Sequence, residues 1–156
     1  MNQKTLHTLE FDKILSLLEE KAVSAPGKAL CHALEPMTEL GAIETAQAET
    51  EAALSRIRMK GELRLSGLRD VSASVKRLDV GGTLSTSELY AIGTLLDLSE
   101  RARNYGAHEE AEPDPDALEA AFTALSPLPK EKRELKRCIL SEELVADTAS
   151  AELSRI

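Results

Sequence analysis

Tryptophan is absent, and two Phe and two Tyr hold the aromatic share to 3%. A core without large rings must come from Leu, Ile, Val and Ala, the usual material of helix-on-helix packing. Cysteine is as scarce. Cys31 and Cys138 stand 107 positions apart with no CxxC and no nearby His pair, so the expectation is two reduced, mostly buried thiols. No apolar run approaches the ~18 residues of a membrane span. The opening MNQKTLHTLEFDK is polar and charged where a signal peptide needs an apolar centre. These absences predict a cytoplasmic protein with no membrane partner.

What is present fits a soluble globular fold: 42% hydrophobic and 29% charged residues over 156 positions, with net charge −8. A uniformly acidic surface argues against wrapping nucleic acid, but the charge is uneven. Arg56, Arg58, Lys60, Arg64, Arg69, Lys76 and Arg77 face only Glu62 and Asp70 between positions 56 and 77. That is +5 locally, so the remainder carries −13. Lys130, Lys132, Arg133, Lys136 and Arg137 form a second cluster, against Glu131 and Glu134. Two readings stay open: a phosphate-facing patch for DNA or ribosomal RNA, or helix-end charges and ion pairs at a seam with a further domain. No aromatic is interleaved, so base stacking is not expected.

Helical periodicity dominates the chain. Phe11, Ile14, Leu15, Leu18 and Ala22 predict an amphipathic helix over about 9–22. Ser24 is the expected cap of a second helix, with Pro26 in its first turn, Leu30 and Leu34 facing inward, and Pro36 stopping it. From Thr38, read as an N-cap, to Gly61, Leu40, Ile43, Gln47, Thr50, Leu54 and Ile57 keep one stripe on one face. About 22 residues at 1.5 Å each make a rod of roughly 33 Å. GELRLSGLRD reads as an extended connector. Asp70 is placed to cap a short helix carrying Val71, Val75 and Leu78, which Gly81-Gly82 ends. Ser85 and Glu88 in LSTSEL form a capping box. The helix they open carries Leu89, Ile92, Leu96, Ser99 and Ala102 towards Gly106.

HEEAEPDPD, from 108 to 116, reads as an acidic solvated loop in which Asp114-Pro115 starts another helix, with Leu118, Ala121, Phe122 and Leu125 facing inward. A short charged helix is expected at Pro129–Arg137. Cys138–Leu140 and Leu144–Ala146 are matched for a minor hairpin across SEE. Ser150 is a last cap, with barely one helical turn before Ile156, so the chain reads as a piece of a longer protein. The predicted fold is all-α and bundle-like, of about six or seven helices plus that hairpin.

Catalytic patterns are weak. A P-loop needs Gly-x-x-x-x-Gly-Lys-Ser/Thr; at Gly27-Lys28 the first glycine is Ala22 and the hydroxyl residue is Ala29. His7, His32 and His108 stand on separate segments with no second ligand at helical spacing. No G-x-S-x-G supports a nucleophile. No catalytic, cofactor or metal residue is assigned.

TLEFDKI at 8–14, RMKGELRLSGLRDV at 58–71, GGTLSTSEL at 81–89 and the SEELVAD run leading into TASAELSRI at 148–156 together resemble the N-terminal region of the bacterial MutS-II family. The resemblance implies a helical core domain at 1–147 and the start of a lever helix at 148–156. It further implies a longer protein with a clamp, a dimerising ATPase domain that binds ATP and Mg²⁺, and commonly a nuclease domain. Such proteins are linked to recombination suppression, branched DNA and rescue of collided ribosomes. The segment would then be a non-catalytic core that links lever and clamp to the ATPase. A direct nucleic-acid binder using 56–77, or a helical protein-interaction adaptor, are the alternatives.

Overall fold

The computed structural model describes residues 3–107 and 115–155. Among them are eight α-helices and no strand. The helices divide into two compact units, residues 3–66 with 115–121 and residues 67–107 with 122–155.

The first unit opens with α1 (Gln3–Thr8) and α2 (Phe11–Lys21). Glu10 between them is left-handed at φ 56°, so the predicted helix begins two residues late. Ser24 caps α3 (Ala25–His32): its Oγ accepts from Gly27 N at 3.1 Å, and Pro26 lies in the first turn. The long helix is α4 (Leu40–Lys60). Its cap is Glu39 rather than Thr38. A carboxylate offers two charged acceptors where a hydroxyl offers one, and Glu39 takes Gly41 N at 3.2 Å and Ala42 N at 2.6 Å. Gly61 closes α4 at φ 78°, a conformation that costs a glycine little.

The predicted inward faces of this unit are not buried. Leu30 is 71% exposed, Leu40 67%, and Leu34, Leu54 and Ile57 are exposed as well. Among the described residues of the unit, the buried positions are Ser24, Ala52 and Arg56. Arg56 grips Asp116 with two hydrogen bonds, Nε to Oδ2 at 2.6 Å and a terminal nitrogen to Oδ1 at 2.9 Å. The guanidinium holds the Asp116 carboxyl below its ordinary range.

The second unit follows the connector. Asp70 accepts from Ser72 N at 2.8 Å at the start of α5 (Ser72–Asp79). Gly81 ends it at φ 78°. The capping box forms as predicted at the head of α6 (Thr86–Gly106), with Ser85 N donating to Glu88 Oε2 at 2.9 Å and Glu88 N to Ser85 Oγ at 3.4 Å. Glu88 does more than cap: its other oxygen accepts from Ser74 Oγ at 2.8 Å and meets Arg77, tying α5 to α6. These donors, led by the Ser85 amide and the Ser74 hydroxyl, lower its pKa from 4.5 to about 2. Leu96, Leu98 and Ala102 of α6 are buried, as is Ala146. At the end of α6 a Cβ on Gly106 would overlap Phe122, whose ring lies 5.8 Å from that of Tyr105.

Asp114 lies outside the described residues. Pro115 precedes no helical turn, and α7 (Glu119–Thr123) starts later, after Asp116 accepts from Leu118 N at 2.9 Å. α8 (Pro129–Cys138) begins at its proline as expected. The predicted β-hairpin does not form. Cys138 is taken as the last residue of α8, which leaves one isolated antiparallel bridge between Ile139 and Val145. Both thiols are free, and each is half-buried rather than enclosed. Ser150 Oγ accepts from Leu153 N at 3.1 Å, ahead of a single 3-10 turn at Leu153–Arg155.

Three outcomes follow from these polar anchors. Ser85→Ala removes a cap and is expected to cost about 1 kcal/mol in denaturant unfolding. Because the folded pKa of Glu88 is depressed, its contribution is present above pH 4.5 and is lost as pH falls through about 2. An NMR titration should place its carboxyl near that lower value, and Ser74→Ala should move it upward. Asp116→Ala takes a two-pronged carboxylate contact away from the 5%-exposed Arg56. The expected loss is roughly 2 kcal/mol, below the range for a fully enclosed pair because Asp116 remains 30% exposed. Arg56→Met combined with Asp116→Leu should recover most of it, as read by chemical denaturation.

Candidate functional site

The seven basic residues between 56 and 77 divide four to three between the units. In the first, Arg56 is buried on Asp116 and is withdrawn from any surface role. Arg58, in the last turn of α4, and Arg64, in the connector, are exposed, and Lys60 is half-buried. Basic side chains at this end also complement the negative pole of the α4 dipole. In the second unit, Arg69 pairs with Glu142 at 2.8 Å, Arg77 pairs with Glu88, and Lys76 is exposed on α5.

The second basic cluster, on α8, serves mainly as a seam with α6. Lys132 meets Glu100 and, at 3.6 Å, Asp97; Lys136 meets Asp97 at 2.6 Å. Glu100, then Asp97, raise the Lys132 pKa above its ordinary value. Arg137 pairs with Glu134 and donates to the carbonyls of Thr148 and Ala149, at 2.5 and 3.2 Å, which ties the end of α8 to the following segment. Lys130 and Arg133 are exposed. The acidic partners went unassigned in the sequence, although their spacing was visible there: Asp97 and Glu100 are three apart on α6, opposite Lys132 and Lys136, four apart on α8.

His7 lies 3.8 Å from Asp12, and His32 Nε2 lies 2.6 Å from Glu19; each pair spans two neighbouring helices of the first unit. His108 is outside the described residues, as are Glu109, Glu110 and Glu112. Among the described residues, no three His, Cys, Asp or Glu side chains converge as metal ligands. No described helix is long and apolar enough to cross a membrane.

Two concave surfaces stand out, one in each unit. A hollow of about 330 Å³ between α6 and α8 is lined by Tyr90, Gly93, Asp97, Leu135 and Lys136, and its charged pair already neutralises itself. An open groove of about 770 Å³ runs along α4, with Pro36 and Met37 on one side and Ile43, Gln47, Thr50 and Leu54 along its floor.

No family model matches the chain. Comparison with known proteins finds 42% identity over 156 residues with the endonuclease MutS2 of Agathobacter rectalis. It finds 40% over 161 residues with that of Lachnoclostridium phytofermentans, and 35% over 158 residues with that of a Geobacillus species. Each alignment takes in 100% of this chain and 20% of the relative, so the chain spans about a fifth of the length of the curated relatives it matches. A likeness of 35–42% identity that takes in the whole chain places it in the MutS2 family.

Proposed function

We propose that this chain is a non-catalytic structural module of a MutS2-type ATPase and endonuclease, with 1–147 as a helical body and 148–156 as the root of a lever. The observation that carries the reading is the match of the whole chain to one fifth of proteins named endonuclease MutS2. The charge chemistry supports it. The carboxylates whose pKa values are pulled down, Glu88, Asp116, Asp70 and Glu134, are each engaged by hydroxyls, helix-end amides or arginines of the same unit. They hold helices in place, whereas a general acid or base needs a pKa near the working pH. In this reading ATP and Mg²⁺ bind elsewhere in a longer, dimeric, cytoplasmic protein acting on branched DNA or on ribosomes. The module carries motion between its ATPase and its clamp.

Purified residues 1–156 are expected to show no ATP turnover and no nicking of branched DNA. Activity in that preparation, abolished by a point substitution within it, would overturn the proposal.

The exposure of Arg58, Arg64 and Lys76 favours a second reading, in which the module also touches a phosphate backbone. If so, residues 1–156 should bind a short duplex at low salt. Replacing Arg58 and Arg64 together by Ala should flatten the log K against log salt plot by about 2. Salt-independent binding, or none at 20 mM salt, would eliminate this second role.

A further inference from the structure

The two faces of α4 are used very differently. Ala52 and Arg56 are buried, and Arg56 is anchored on Asp116. Roughly opposite lies the stripe Leu40, Ile43, Gln47, Thr50, Leu54 and Ile57, which forms the floor of the open groove and runs past it at both ends. Leu40, Leu54 and Ile57 on that stripe are 67%, 46% and 45% exposed, and Met37 beside it is 48% exposed. A stripe on one face of a 21-residue helix, apolar at both ends around the polar pair Gln47 and Thr50, is the pattern of a packed seam more than of a solvated face.

We propose that this groove is the docking site for an amphipathic helix supplied by the part of the longer protein outside residues 1–156. The inference rests on the module reading above. A continuous helical stripe accepts another helix most readily, because its ridges have the matching pitch. The lining specifies that helix: apolar side chains against Ile43 and Leu54 at the two ends, and a hydrogen-bonding group at the centre opposite Gln47. Basic residues belong along its rim, beside Glu44 and Glu51. The relatives extend for about four-fifths of their length beyond the match, which is ample chain to provide it.

A second copy of α4 is the competing occupant, since the stripe is apolar at both ends and polar in the middle. Antiparallel pairing about the Gln47–Thr50 centre would align Leu40 with Ile57 and Ile43 with Leu54 of the other copy. It would also set Glu44 of each copy beside Glu51 of the other, two like-charge contacts along the seam. Like charges so placed disfavour the pairing, whereas a helix with a basic rim turns the same glutamates into attraction.

The test uses the full-length protein with Gln47 replaced by a photo-crosslinking phenylalanine derivative. Gln47 is exposed, so the change does not disturb a buried contact. The expected adduct joins the peptide carrying residue 47 to one helical peptide outside residues 1–156. Maleimide labelling of Leu54→Cys should also be at least tenfold slower in the full-length protein than in residues 1–156 alone. Adducts confined to residues 1–156, from the same or a second copy, would overturn the inference, as would no adduct with unslowed labelling. A gene that ends at Ile156 would instead bring down the module reading itself.

Discussion

The scarcity of buried apolar surface governs this structure. Among the described residues the enclosed apolar positions are Ala52, Leu96, Leu98, Ala102 and Ala146, and only the first belongs to the first unit. Small side chains release little free energy on leaving water, at about 25 cal/mol per Å². Order in such a fold therefore depends on polar contacts at helix ends. Ser24, Glu39 and Ser85 each satisfy amides at the head of a helix. Arg56 and Asp116 join segments 60 positions apart. Lys132 and Lys136 fasten α8 to α6. Glu88 unites both kinds of contact, capping one helix while holding the one before it.

The same shortage explains why much of the basic charge is structural. A guanidinium or ammonium placed beside a carboxylate anchors one element on another where few apolar groups meet. Arg56, Arg69, Arg77, Lys132 and Lys136 all act in this way, and Arg137 does so through the carbonyls of Thr148 and Ala149. What remains exposed among the seven and outside these ion pairs is Arg58 and Arg64 in the first unit and Lys76 in the second. The long bare stripe on α4 belongs to the same account, since apolar side chains contribute stability only where a neighbour removes them from water.

Local rules were legible in the residues themselves. Capping boxes, proline at the first turn and glycine after the last depend on groups within a few positions, so Ser24, Ser85-Glu88, Pro129 and Gly61 were placed correctly, and so was the all-α class. The family could also be read from four short motifs. Two local predictions failed by competition: Glu39 outbid Thr38 for the same amides, and α8 absorbed Cys138 before it could begin a strand.

Periodicity, by contrast, identifies the apolar side of a helix but not whether anything covers it. Leu30, Leu40, Leu54 and Ile57 carry the right spacing yet stand in solvent, because burial depends on a neighbour and no single helix encodes one. Charge counting had the same blind spot. It located Arg56 in a basic run, while Asp116, 60 positions away, decided that this side chain is buried and paired. Sequence determined that these segments are helical, where Ser24 and Ser85 cap them and which family they belong to, since those depend on near neighbours and matched text. Tertiary structure decided which charges are anchors and which apolar faces are vacant, since both are relations between segments the chain brings together only on folding.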